Sequence, residues 1–267
     1  MDRRRPAQQG GPQGVGGQGL DQEVVHARRQ AGAAVVLEGV GGQGDDYALG
    51  ERLDFMKLDA SARDAIRALR PLIQQEIKPA LEAFHQAGFL NATRDFEVGG
   101  MQLPNLLSQA CFAHFQSANI ATSSYSMLTM GASNLIESFG SAEQKARFLQ
   151  PMIDGRFYGT MALTEPQAGS GLSDLKTSAT PMGEGRYRIK GQKIFISGGD
   201  HELSENIVHL VLARLQDAPP GVKGISLFTV PKFHTDEQGR VGERNDVALA
   251  GLIHKCAWRG TTSTMLS

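Results

Sequence analysis

Apolar positions recur at helical spacing through the first half of the chain and at every second position through the second, with the change after Asp154-Gly155. Asp59 or Ser61 can cap a helix with Ala62, Ile66 and Leu69 on one face, stopped by Pro71. Pro79 suits a first helical turn, Leu81, Phe84 and Ala87 share a face, and Gly88 supplies the stop. Pro104 opens a further helix with Leu107, Ala110, Cys111, His114 and Phe115 along one side. Ala121 to Phe139 follows, closed by Gly140, and Ser141 to Gln144 has the spacing of a capping box.

Beyond Gly155 the segments Phe157–Thr164, Thr177–Thr180, Tyr187–Ser197, Ile207–Arg214 and Ile225–Val230 read as strands. Gly183-Glu184-Gly185 is a hairpin signal between the second and third of these. Many short strands with no helix between them pack as a β-sandwich or small barrel. The expected fold class is therefore α+β. A helical domain over residues 51–155 precedes a β domain over 156–267.

Residues 1–50 differ in kind. They hold 12 of the chain's 32 glycines and few large apolar side chains, too little to offset the entropy of ordering. They are expected to form a low-complexity, disordered tail. Gly14-Val15-Gly16-Gly17-Gln18-Gly19 recurs as Gly39-Val40-Gly41-Gly42-Gln43-Gly44, and both copies satisfy G-x-G-x-x-G. A dinucleotide site needs a helix and then a second parallel strand ending in an acidic residue, whereas helix-type patterns follow here. An NAD-binding protein is the weaker alternative this repeat leaves.

A net charge of −1 gives no electrostatic case for nucleic acid or an anionic membrane. No apolar run approaches the ~18 residues of a membrane span, and no apolar core follows the basic start of the chain, so a cytoplasmic location is expected. Cys111 and Cys256 stand far apart, outside any metal or disulfide framework.

Two strand-to-loop transitions carry the chemistry. Thr164-Glu165-Pro166-Gln167-Ala168-Gly169-Ser170 combines hydroxyls with a glycine that lets backbone approach a ligand. Gly191-Gln192-Lys193-Ile194-Phe195-Ile196-Ser197-Gly198-Gly199 offers an aromatic and a hydroxyl, which strand alternation would place on one face. In this order and about 30 residues apart, the two resemble the middle domain of acyl-CoA dehydrogenases. Gly140 through Gly155 resembles that family's last helix before the β domain. Gly199-Asp200-His201 through Ala213-Arg214, with Pro231-Lys232-Phe233, is similar to the larger bacterial branch that includes methylmercaptopropionyl-CoA dehydrogenases. The resemblance spans roughly residues 72 to 267.

It implies an FAD-dependent oxidoreductase acting on an acyl-CoA thioester, homo-oligomeric in intact members. By position, the backbone around Met161 and Leu163 and the Thr164 hydroxyl would contact the flavin ring. Gly169 and Ser170 would meet the pyrophosphate, Ser170 also the thioester arm. Phe195 would pack on the isoalloxazine and Ser197 would hydrogen-bond near N5. Many relatives carry tryptophan and threonine at those last two positions, and aspartate where this chain has Gly171. The family's base comes from a C-terminal helical domain, and the chain is expected to stop before it. No residue is assigned as catalytic. The alternative is a non-catalytic remnant that pairs with a full-length homologue.

Other residues invite plainer readings. Glu165 reads as a structural member of its loop, and His114 and His209 as packed histidines. Asp200-His201-Glu202 reads as a solvated loop rather than a metal site, and Cys256 as a structural thiol. No G-x-S-x-G elbow surrounds Ser170.

Overall fold

The computed structural model describes residues 73–267. The expected helix from Asp59 to Leu69 and the glycine-rich stretch with its two repeats lie outside them. Helix α1 (Lys78–Gln86) has proline in its first turn and buries Ala80, Leu81 and Phe84. Gly88, with φ of +79°, takes the left-handed conformation after it.

Helix α2 (Asn105–Phe139) starts directly after Pro104 and is interrupted at Asn119, where φ is −160° and ψ is 100°. Two helices thus meet there. Asn119 Oδ1 accepts the Thr122 N–H at 3.0 Å, as an N-cap does. The expected face of the first half is corrected by the structure. Ser108 and Phe112 point inward, while Leu107, Ala110 and His114 are exposed. The phase is set by Phe84 and Phe89, which pack on Phe112 and Phe115; the Phe84 and Phe115 rings stand edge-on at 4.8 Å. The apolarity of Leu107 and Ala110 carries no such partner information.

The Ser141 capping box forms: Ser141 N–H donates to Gln144 Oε1 at 2.9 Å, and Gln144 N–H to Ser141 Oγ at 3.2 Å. It opens α3 (Ala142–Gln144), which runs through a π turn (Lys145–Leu149) into α4 (Gln150–Ile153).

The strands are β1 (Phe157–Ala162), β2 (Ser178–Gly183), β3 (Arg186–Lys190), β4 (Lys193–Ser197), β5 (Asn206–Leu215), β6 (Ile225–Pro231), β7 (Phe233–Thr235), β8 (Val241–Arg244), β9 (Leu249–Leu252) and β10 (Ser263–Leu266). β5 is the axis. It pairs with β1 in parallel, Phe157 opposite Asn206 through Ala162 opposite Val211, and with β6 antiparallel along its other side. β2 joins the end of β5 in parallel and carries β3 as a hairpin. Glu184 and Gly185 both take positive φ at the turn, 53° and 70°, as a tight hairpin requires. β4, β10 and β9 form a separate sheet, and β7 pairs with β8. The run Tyr187–Ser197 is thus two strands in two sheets, split at Gly191-Gln192.

Among the described residues, apolar clusters at the helical end, between helix and sheet, and between the sheets hold these layers. Phe84, Phe89, Leu90 and Phe112 fill the helical end. Ala132, Ile136, Phe148, Met152, Phe157, Val208 and Leu210 join the second half of α2 to the sheet. Ala162, Ile196, Val211 and Leu266 join the two sheets. Each fully buried side chain such as Phe157 or Leu210 contributes about 1.5–3 kcal/mol of burial. At Gly159 the helix and strand approach closely: a β-carbon there would lie 2.4 Å from that of Ala132, so only glycine fits.

Candidate functional site

β1 is an edge strand of its sheet. Gly159 turns its N–H away from the ladder, to Thr129 Oγ1 at 3.1 Å. By strand alternation Met161 turns its backbone to the same edge, which no further strand pairs with among the described residues. The loop that follows is locked from within. Glu165 N–H donates to the Ala168 carbonyl at 2.8 Å and Ala168 N–H to the Glu165 carbonyl at 3.1 Å, closing a turn around Pro166-Gln167.

The Glu165 carboxylate is buried beneath that turn. It accepts from Lys193 Nζ at 2.8 Å, Lys176 N–H at 2.8 Å, Thr177 N–H at 3.0 Å and Gln167 Nε2 at 2.6 Å. Burial pushes its pKa up, but the Lys193 ammonium and the two N–H groups outweigh burial and hold it at about 2. Lys193 Nζ also donates to the Leu163 carbonyl at 3.1 Å, and Ile194 N–H to the Thr164 carbonyl at 2.9 Å. Two motifs about 30 residues apart are thereby fastened side by side. Glu165 is a brace, as its loop position implies.

Above the brace, Met161, Gly169, Ser170 and Phe195 are exposed, with Leu163, Thr164 and Ser197 half-buried. Phe195 is 58% exposed and has φ of +58°. A left-handed backbone at an aromatic residue costs about 1–3 kcal/mol. It also interrupts the alternation of β4, in which Lys193 and Ile196 are buried while Phe195 is exposed. Ser197 lies opposite Ser263 of β10, and the Gly198 N–H donates to the Thr262 carbonyl at 2.9 Å.

Behind Gly199 the structure corrects the reading of a solvated loop. Asp200 and His201 are both buried, and only Glu202 is exposed. Asp200 pairs with Lys232 and, at 3.6 Å, with Arg244; Lys232 Nζ also donates to the His201 carbonyl at 2.9 Å. The His201 ring stands edge-on to Tyr125 and Tyr158, at 5.1 and 5.5 Å, and its Nδ1 accepts the Leu203 N–H. His209 is packed as expected, its Nδ1 2.8 Å from Thr160 Oγ1. Burial, reinforced by Lys232, lowers His201 to about 3. Burial likewise lowers His209 to about 4. Both rings are neutral. Among the described residues no group of His, Cys, Asp and Glu could hold a metal ion. His114 is exposed rather than packed, and so is Cys256.

Sequence reasoning missed both ion-pair networks. The signal was present in Lys193, a charged residue at an inward position of an otherwise apolar strand, and in Lys232 between Pro231 and Phe233.

The exposed corner fits a flat, partly apolar group with hydrogen-bonding edges. It offers an exposed aromatic face, the free backbone edge of β1 and the hydroxyls of Thr164, Ser170 and Ser197. Thr262, next to the Gly198 contact, has a buried hydroxyl with no hydrogen-bond partner among the described residues.

A helical layer feeding a β portion, with paired strand-end loops facing outward, is the arrangement that comparison with known proteins identifies. A family model described as acyl-CoA dehydrogenase, N-terminal domain, matches residues 60–156, and one described as acyl-CoA dehydrogenase, middle domain, matches 160–255. The chain belongs to the acyl-CoA dehydrogenase family. It is 43% identical to 3-methylmercaptopropionyl-CoA dehydrogenase of Ruegeria pomeroyi over 74% of this chain and 34% of that protein. It is 38% identical to a broad-specificity linear acyl-CoA dehydrogenase of Mycobacterium tuberculosis, over 69% of this chain and 30% of that one. The chain thus spans about a third of these relatives' length. Among solved structures it resembles butyryl-CoA dehydrogenase of Megasphaera elsdenii, with a TM-score of 0.62, 20% identity, and coverage of 92% of this chain and 54% of the other. It also resembles an acyl-CoA dehydrogenase complexed with FAD from Bacillus anthracis, with a TM-score of 0.57, 21% identity, and coverage of 92% and 36%.

Proposed function

We propose that this chain supplies the flavin-facing wall of an acyl-CoA dehydrogenase site, with FAD as cofactor and an acyl-CoA thioester as substrate. The bound flavin supplies a hydride acceptor, which makes the reaction class α,β-dehydrogenation of the acyl group. The protein's part is to bind and orient. The backbone of Met161 and Leu163 and the hydroxyls of Thr164 and Ser197 would meet the polar edges of the ring, where donors favour the added charge. Phe195 would cover its apolar face, worth about 0.5–1.5 kcal/mol beyond area burial. Gly169 and Ser170 would hold the pyrophosphate, and the Ser170 backbone would orient the thioester arm.

The observation that carries this reading is the fastening of the two motifs by Ile194 N–H to Thr164 and by Lys193 to Glu165. It fixes these groups before any ligand arrives, and preorganisation lowers the ordering cost of binding. The visible absorption of FAD titrated with the chain tests the proposal. A saturable, weak perturbation is expected, and a spectrum unchanged at the highest protein concentration overturns it.

A second reading, a module without turnover of its own, is favoured by the state of Glu165. An α proton of a thioester is weakly acidic, and a positioned general base contributes about 10²–10⁴ in rate. A carboxylate held at about 2 and already accepting four hydrogen bonds is no such base. With FAD and a ferrocenium acceptor, the chain alone is expected to oxidise no short, medium or long acyl-CoA. Turnover that disappears in Glu165→Gln or Glu202→Gln contradicts this second reading.

A further inference from the structure

The break in α2 at Asn119 is held by residues far away in sequence. Trp258 Nε1 donates to the Ile120 carbonyl at 3.1 Å and to Ser124 Oγ at 2.7 Å. Thr261 Oγ1 donates to the Ala121 carbonyl at 2.7 Å, and Tyr125 Oη donates to the Gly260 carbonyl at 3.0 Å. Four side-chain bonds thus join a six-residue stretch just past the break, 120–125, to the segment that leads into β10. Trp258 itself has φ of +63°, a conformation that an aromatic residue adopts only when its surroundings over-determine it. Lys255 supports the turn from the other side: its Nζ donates to the Trp258 and Thr261 carbonyls and lies 5.7 Å from the indole.

The same segment leads directly to the flavin-facing strand. Thr262 accepts the Gly198 N–H, and Ser263 lies opposite Ser197. On the helix side, a β-carbon at Gly198 would sit 3.3 Å from the Tyr125 ring. The end of β4, the start of β10 and the helix break therefore form one contact, with the indole as its fastener.

We propose that Trp258 is a positioning residue for the flavin-facing end of β4: it pins the helix break to the segment before β10 and so fixes Ser197 and Gly198. The inference rests on the flavin reading above for its function, though its mechanical part does not depend on it. Trp258 is 40% exposed, so its ring is only partly buried, and its N–H adds two directed bonds to the helix.

Hydrogen exchange on the full chain tests the mechanical part. Trp258→Phe keeps a ring and removes the donor, while Ser124→Ala removes one of its two acceptors. Loss of the bonds should raise exchange at Gly198 and at Thr122–Tyr125 roughly five- to tenfold in Trp258→Phe, and less in Ser124→Ala, with β5 and β6 unchanged. Unchanged exchange at Gly198 overturns the proposal; so does a uniform rise across β5 and β6, which would mean general destabilisation. FAD titration of the same variants tests the functional part. Weakening of about threefold or more in Trp258→Phe, under conditions where the variant remains folded, is expected. Equal affinity in both proteins overturns the positioning role. An absence of flavin binding by the unmodified chain would instead overturn the flavin reading and leave the exchange result to decide the mechanics. The chain contains one tryptophan, so its fluorescence reports on this clamp alone.

Discussion

Two carboxylates are buried in the β portion, Glu165 beneath the exposed loops and Asp200 behind the Gly199 turn, and they are served differently. Glu165 accepts four hydrogen bonds, two from backbone and two from side chains, with a lysine among them. Asp200 has Lys232 and Arg244 as ionic partners and, among the described residues, accepts from no backbone N–H. Buried ion pairs stabilise only when the remaining lone pairs are met. The Glu165 site meets that condition and holds the loop that carries Ser170. The Asp200 site ties β8 and the approach to β7 to the end of β4, by charge more than by geometry.

The largest expected effect follows from that contrast. Glu165→Ala strands a buried ammonium on Lys193 and two N–H groups, and should cost about 3–5 kcal/mol in a denaturant titration, with flavin binding abolished. Asp200→Asn should cost less, about 1–3 kcal/mol. Lys232 keeps the His201 carbonyl, and the Arg244 side chain is 28% exposed and can recruit water. Equal losses in the two variants would erase the distinction.

Three buried histidines, of which His201 and His209 lie near Asp200, sharpen the contrast through pH. His85, His201 and His209 fall from an ordinary 6.5 to about 4, about 3 and about 4, each chiefly through burial. Their folded values lie below the unfolded one, so the unfolded chain takes up protons that the fold refuses. Stability should therefore drop as pH falls from about 6.5 towards 4. Glu165 behaves differently: with its pKa lowered from 4.5 to about 2, its contribution is intact above 4.5 and is lost between 4.5 and 2. The denaturation midpoint should decline in two stages, and His209→Gln should flatten the upper one. A midpoint constant from pH 6.5 to 5 would contradict the neutral-histidine assignment.

Elements whose signals are local were legible from the residues alone. Leu81 and Phe84 define α1, Ser141 and Gln144 cap α3, and Gly183 to Gly185 turn the hairpin, each within a few positions. The paired motifs around Thr164 and Phe195 were legible by resemblance, and the structure brings them together. What escaped depends on partners distant in sequence. The phase of α2 before Asn119 is set by Phe84 and Phe89. Asp200 meets Lys232 and Arg244 across 32 and 44 positions, and Trp258 reaches Ile120 across 138. The left-handed Phe195 was invisible because alternation assumes an unbroken strand.

The central claim is that the corner of Phe195 and Ser170 meets FAD, and calorimetric titration of FAD into the chain, Phe195→Ala and Ser170→Ala tests it most directly. Weak saturable binding by the unmodified chain is expected. Affinity should fall roughly three- to tenfold in each variant, in line with about 0.5–1.5 kcal/mol for one aromatic contact or one hydrogen bond. Unfolding midpoints should stay unchanged, because both residues are exposed. Binding of equal strength in all three proteins would place the flavin away from Phe195 and Ser170.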